Sequence, residues 1–278
     1  MNEILKIPIA EHLEDTDDLS AGRDTELIPG QEALAEEMAS EIYEHAMATN
    51  LSGLLFCVSP RKRAMETAML VRRCLDNKPV KLKVVFEVDH NLREIDQGQL
   101  ILPIDYKAGD EFQGLVLARQ IFSSEVRNPD DPAKDNLSYH FGDPLLCEDG
   151  SYKYPELQEY FTEPGESFKE ILIRYFSQVV KFSENLDRFS GRTQPVVFTH
   201  GQVRQFFVIL EQLAERMIKE GYTFNVGALP KLCRDLYKPR VQGTEPYGRI
   251  DFVNVEEACR PEIIEILKQE IAHLELIN

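Results

Sequence analysis

No stretch of this 278-residue chain approaches the roughly 18 consecutive apolar residues that a bilayer-spanning helix needs, and no basic segment followed by an apolar one opens it. Cations are scarce: 31 Lys and Arg stand against 48 Asp and Glu, a formal net charge of −17 with a pI near 4.8. That balance favours solubility and opposes nonspecific attraction to nucleic acid or an anionic membrane, while leaving room for a local basic pocket. Cysteine is sparse as well, with five residues at 57, 74, 147, 233 and 259, an odd number without a CxxC pair. This usage reads as reduced thiols in a cytoplasmic compartment. Cys57, within Leu54-Leu55-Phe56-Cys57-Val58, reads as a buried structural thiol. Internal repeats and low-complexity tracts are lacking too. The expectation is a soluble intracellular protein, with neither membrane nor nucleic acid as a partner.

What is present alternates between two periods. Short apolar runs at Ile4 to Ala10, Leu51 to Val58 and Pro195 to Thr199 suit buried strands, and Lys81 to Val88 supplies another strand. Helical spacing separates them: Leu34, Met38 and Ile42 within Gln31 to Ala48; Ala64, Ala68, Val71 and Leu75 after Ser59-Pro60; Leu172, Tyr175 and Val179 within Phe168 to Val180; Val203, Phe206, Leu210 and Leu213 after His200. Ser59-Pro60 is a favourable helix start, because serine can cap free amides and proline at the first turn loses no needed hydrogen bond. Gly248 to Val255 alternates like an edge strand, and Pro261 to Leu274 reads as a closing helix. The pattern predicts an α/β fold with a mostly parallel central sheet and helices on both faces. One domain over 1–278 is expected, with loop or helical insertions at about 99–162 and 221–247, where Pro, Gly, Asp and Tyr gather.

Open α/β sheets bind ligands at the carboxyl ends of their strands, so residues just past those ends are the candidates for a site. Three junctions qualify: Glu11-His12-Leu13-Glu14 after the first strand, Ser59 to Ala68 with Arg61 and Arg63 after the second, and His200-Gly201 after a late strand. Leu92, Glu94 and Gly98 lie in a fourth segment.

These residues resemble the motifs of the histidine phosphatase (phosphoglycerate mutase-like) superfamily. That family combines an Arg-His-Gly-Glu run, a Ser-x-x-x-Arg-x-x-x-Thr-Ala run, a Leu-x-Glu-x-x-x-Gly segment and a late His-Gly. Ser59, Arg63, Thr67 and Ala68 match the second, Leu92, Glu94 and Gly98 the third, and His200-Gly201 the fourth. Gly165-Glu166-Ser167 and Pro246 to Ile250 extend the resemblance over most of the chain. It implies a phosphoglycerate mutase-like fold and a phosphomonoester hydrolase acting on a small phosphorylated metabolite. His12 would be the nucleophile, forming a phosphohistidine. Arg63 and His200 would hold the phosphoryl oxygens, with Ser59 and Gly201 beside them, and Glu94 would be the general acid and then the base that activates water. Those residue types suit the chemistry, since imidazole is a good nucleophile, a guanidinium fork matches phosphoryl oxygens, and a carboxyl near phosphate has its pKa raised. The resemblance implies no cofactor and no metal; a homodimer is a possible assembly, which the sequence does not fix.

The first motif departs from the family at Glu11, where the resemblance calls for a phosphate-clamping arginine, and at Leu13, where it calls for glycine. Losing one charge-assisted hydrogen bond costs on the order of 1.5–3 kcal/mol. A carboxylate facing phosphate at about 4 Å adds about 4 kcal/mol at an effective dielectric near 20. Three arrangements would relieve this: Glu11 turned away, Glu11 paired with Lys62 or Arg61, or Arg61 supplying the missing charge.

Other readings stand beside this one. The chain could be a catalytically silent member binding a non-phosphorylated ligand or a protein partner, or a repurposed one in which Glu11 meets a cationic group. Two histidines with Glu11 or Glu94 could ligate a metal, although adjacent residues such as Glu11 and His12 point apart in an extended chain. Asp96 competes with Glu94 as the acid, and Arg204 reads as structural. His45, His90, His140 and His273 read as surface or packing residues.

Overall fold

The computed structural model describes residues 6–13, 26–94, 99–100, 161–163, 168–185, 192–220, 248–254 and 259–276. Strands β1 (Lys6–Glu11), β2 (Gly53–Val58), β3 (Lys83–Val88), β6 (Thr193–Thr199) and β7 (Ile250–Asn254) form a five-stranded sheet in the order β3-β2-β6-β1-β7. All neighbours are parallel except β7, which runs antiparallel to β1 at the sheet's edge. A separate antiparallel pair joins β4 (Gln99–Leu100) to β5 (Phe161–Glu163). Among the described residues five helices cover the sheet: α1 (Glu32–Ala48), α2 (Lys62–Asp76), α3 (Phe168–Glu184), α4 (Gly201–Glu220) and α5 (Pro261–Leu276).

Alternation along the central strands explains the two layers, since successive side chains leave opposite faces of a sheet. Leu54, Phe56 and Val58 of β2, with Val196 and Phe198 of β6, pack against α1 and α2. Cys57, Val197 and the β1 residues Ile7 and Ile9 pack on the other face with Leu172, Tyr175, Phe176, Phe206 and Leu210 of α3 and α4 and Ile263 of α5. Both faces are therefore apolar, which is why these strands read as continuous hydrophobic runs. The expected α/β class is the architecture found.

Two local expectations change. Leu34 is 37% exposed, and the buried stripe of α1 is Ala35, Met38, Ala39, Ile42 and Ala46. At 100° per residue those five share one face, while Leu34 falls on its shoulder. Helix α2 starts at Lys62 rather than at Ser59-Pro60, with extended Arg61 as its N-cap and no side-chain cap bond. Ser59 stays outside the helix because its hydroxyl is engaged elsewhere. Of the expected insertions only residues 99–100 and 161–162 are described, and Gly98, Asp96, His140, Cys147, Cys233, Glu14 to Asp18, Gly165 to Ser167, Pro246 and Tyr247 lie outside the described residues. Cys57, Cys74 and Cys259 are free thiols, and Cys57 is buried. Among the described residues no helix is long and apolar enough to cross a membrane.

Candidate active site

Parallel register brings the junctions together. Glu11 is opposite Thr199 and Val58 is opposite Phe198, so β1, β2 and β6 end side by side. The His12 amide donates to the Thr199 carbonyl at 3.0 Å and the Ser59 amide to the Phe198 carbonyl at 2.9 Å, which carries the alignment one residue beyond the sheet. His12, Ser59 and His200 are the next residues out, and all three are buried.

His12 is held by its backbone and by its ring. Its Nδ1 lies 2.7 Å from the Leu13 carbonyl, an acceptor, which places the ring proton on Nδ1. The lone pair is then on Nε2, to which Arg63 Nε donates at 3.2 Å. Beyond His12, Leu13 donates its amide to Thr67 Oγ1 at 3.0 Å, and Thr67 Oγ1 donates to the Arg63 carbonyl at 2.8 Å. Thr67 thus ties the end of β1 to the turn of α2 that presents Arg63. Gly248 receives the other side of this segment: its φ is +80°, and a Cβ there would come within 2.9 Å of Leu13 Cδ2.

His200 is fully buried, 5.1 Å from His12 between ring centroids. Its Nε2 is 2.8 Å from Ser59 Oγ, which also accepts the Arg61 amide at 3.3 Å. The Glu94 carboxylate oxygen Oε2, an acceptor 3.4 Å from His200 Nδ1, favours the tautomer with the ring proton on Nδ1, in which the Ser59 hydroxyl donates to Nε2. The same carboxylate oxygen is 3.6 Å from Arg63 Nη2. Burial, then the positive charge of Arg63 with smaller effects of His12, Arg61 and Arg174, pushes the His200 pKa well below its ordinary 6.5, so the ring is neutral at pH 7.

Glu94 follows a 3-10 turn, His90–Leu92, whose Asp89 accepts the Asn91 amide at 3.0 Å. Residues from two other elements hold this turn, with Thr199 Oγ1 donating to the Leu92 carbonyl at 2.7 Å and Arg174 Nη1 to those of Asn91 and Arg93 at 3.0 and 2.7 Å.

Glu11 turns from His12, as neighbours in an extended strand do. Its Oε2 is 3.4 Å from Arg204 Nε, and Arg204 also pairs with Asp251 of β7. The carboxylate lies against the first turn of α4, where a Cβ on Gly201 would be 2.7 Å from Glu11 Oε1. A negative charge is favourable at that helix end. Glu11 turned away is the first of the three anticipated reliefs, and the partner it meets there, Arg204, is one the sequence analysis did not pair with it.

The geometry thus assembles His12, Arg63, Glu94, His200 and Ser59 in one cluster, with Arg61 near enough to bear on His200 and Gly201 at the base of α4. Glu11 is adjacent but directed into its own ion-pair network. Sequence reasoning missed the roles of Arg174 and Thr199, and it read Arg204 as structural without seeing its partner. Ligand atoms of His12, Glu94 and His200 lie within 4.8 Å of one another, so the triad that could hold a cation is the one with Glu94. Arg63 already donates to His12 Nε2, and its guanidinium would face any cation bound there.

Fold and site together define a mostly parallel α/β protein with buried His12, Arg63 and His200 and a half-buried Glu94 clustered at the strand ends. Among solved structures the chain is similar to a Bacillus anthracis phosphoglycerate mutase at 16% identity, covering 96% of this chain and 100% of that one with a TM-score of 0.45. It is similar to a mycobacterial glucosyl-3-phosphoglycerate phosphatase complexed with VO3, at 16% identity over 88% of each chain and a TM-score of 0.45. A putative α-ribazole-5'-P phosphatase of Escherichia coli is 17% identical over 77% of this chain and 80% of that chain, with a TM-score of 0.41. No family model matches the chain, and no curated protein does.

Proposed function

We propose that the chain is a histidine phosphatase-type phosphomonoester hydrolase, acting on a small phosphorylated metabolite in the cytoplasm through a phosphohistidine on His12. The observation that carries this reading is the state of His12. Its Nδ1 proton is committed to the Leu13 carbonyl, and its Nε2 lone pair faces the Arg63 guanidinium. A nucleophile aimed at a cation is what attack on a phosphoryl group requires, because phosphoryl transfer depends on positioning and charge stabilisation.

In the first half-reaction His12 Nε2 forms a bond to phosphorus as the ester P–O bond breaks, and the leaving oxygen takes the proton of Glu94. Arg63 exchanges its contact with His12 for the phosphoryl oxygens. In the second, water attacks phosphorus, gives a proton to the Glu94 carboxylate, and the N–P bond breaks to return free His12 and phosphate. His200, neutral and held by Ser59, directs its Nδ1 proton into the same space. Pairing of Glu11 with Arg204 reduces the repulsion expected from a carboxylate at this position. The remaining deficit is the absent arginine contact, about 1.5–3 kcal/mol or roughly a 10–150-fold weaker hold on the transition state.

The test is hydrolysis of a panel of phosphomonoesters by wild type and His12→Ala, with phosphorylated protein trapped by acid quench. Wild-type turnover, with a trapped phosphohistidine absent from His12→Ala, is the expected result. Undiminished turnover by folded His12→Ala would refute the nucleophile. A wild type that neither hydrolyses the panel nor binds vanadate would favour a silent or repurposed protein.

A further inference from the structure

We propose that Arg174 is the positioning residue for Glu94, and that α3, none of whose described side chains enters the reacting cluster, sets the placement of the general acid. The proposal rests on the phosphatase reading above.

Three consecutive carbonyls lead into Glu94, and side chains from outside the turn bind all of them. Arg174 Nη1 bridges those of Asn91 and Arg93 at 3.0 and 2.7 Å, while Thr199 Oγ1 binds the one between, Leu92, at 2.7 Å. A turn this short cannot satisfy these acceptors through its own amides, and an unmade bond at a buried carbonyl is costly. Both bonds come from the two in-plane hydrogens of Nη1, whose directions the rigid guanidinium fixes, whereas an ammonium rotates on a flexible stem. Arg174 is buried, 6% exposed, and so has few alternatives. A second tether comes from the same face of this helix two turns further on: Lys181 Nζ donates to Asp89 Oδ2 at 2.6 Å, and Asp89 Oδ1 accepts the Asn91 amide. Helix α3 thereby grips the turn at both of its ends.

Position matters at Glu94 because the carboxyl must reach the leaving oxygen while staying near both Arg63 and His200. A displacement of about 1 Å in such a group costs on the order of 100-fold. The loss falls only where proton donation is needed. An alkyl phosphate must have its leaving alkoxide protonated, whereas p-nitrophenolate departs without help.

Arg174→Lys and Arg174→Gln are compared with wild type on glycerol phosphate and p-nitrophenyl phosphate, with hydrogen exchange followed over 89–94. The expected result is kcat/KM on glycerol phosphate lower by about 10–100-fold and on p-nitrophenyl phosphate by less than about threefold, Lys milder than Gln. Exchange across 89–94 should quicken at least about tenfold, the equivalent of one charge-assisted hydrogen bond, while peptides of β2 and β6 stay unchanged. Equal losses on both substrates, or unaltered exchange at 89–94 in a folded variant, would overturn the proposal. A wild type inactive on both substrates is a failure of the phosphatase reading; the exchange result then decides by itself whether Arg174 holds the turn.

Discussion

Replacing Glu11 by arginine, which by resemblance alone would repair the site, is expected to damage the protein. Arg204 is 2% exposed and lies 3.4 Å from Glu11 Oε2, whose side chain is 15% exposed. At an effective dielectric near 20 that pair attracts by about 5 kcal/mol, before the cost of desolvation. Glu11→Gln removes the charge but leaves Asp251 on Arg204, so its loss should be about 1–3 kcal/mol, below the 3–5 kcal/mol typical when a buried ion loses its only partner. Glu11→Arg sets a second guanidinium against Arg204, and if it swings the other way it meets Arg63 and Arg61. Its loss should be about 4 kcal/mol or more, a large share of the 5–15 kcal/mol that stabilises an ordinary domain. Urea unfolding at pH 7 measures each, with a double-mutant cycle adding Arg204→Met and the double variant Glu11→Gln/Arg204→Met. A coupling of about 1–3 kcal/mol is expected between the two positions. Glu11→Arg as stable as wild type, or a cycle that closes without coupling, would show that this pair is not what holds Glu11.

Two further outcomes follow from the same cluster. His200 has a lowered folded pKa, so the unfolded chain binds its proton first as pH falls below about 6.5, and stability should decline in that window by up to about 1.4 kcal/mol per pH unit. Unfolding midpoints at pH 7.5, 6.5 and 5.5 should therefore show a shallower decline in His200→Gln than in wild type, and parallel declines would contradict the buried neutral ring. Gly201→Ala should drive Glu11 Oε1 from its place, since the new methyl would stand 2.7 Å away, at about 1–3 kcal/mol. Denaturant midpoints should show a smaller loss when the same change is made on Glu11→Ala, and equal losses in both backgrounds would exclude that contact as the cause.

Much of this arrangement was legible in the amino-acid order alone, and the reason is local. Strands buried on both faces are unbroken apolar runs, and residues at their carboxyl ends share a crevice whenever the strands are parallel, which is how His12, Ser59 and His200 could be grouped. Arg63 was legible because Ser59 and Thr67 frame it on one helix. Partnerships that depend on register were not. Glu11 meets Arg204 only because β1 lies beside β6 with Glu11 opposite Thr199, so that the first turn of α4 falls over its side chain. Arg174 meets the turn before Glu94 through the packing of α3 across the sheet, and nothing in the spacing of Arg174 along its own helix announces that. Leu34 shows the smaller failure: Met38 and Ile42 are buried as expected, but a strict four-residue step drifts from the 3.6-residue repeat, and the buried position at the start of the helix is Ala35.

The place of β1 has a consequence for how the protein is made. It is the second strand from one edge, between β6 and β7, and both of those neighbours come from the last third of the chain. At about 5–20 residues per second, roughly 10–40 s pass on the ribosome between the appearance of His12 and that of Thr199, against whose carbonyl it is fixed. For all of that interval the proposed nucleophile sits on an apolar segment with no sheet to enter. The site therefore comes into being only once β6 has been made, and a nascent chain cut short before β6 carries His12 without the means to use it.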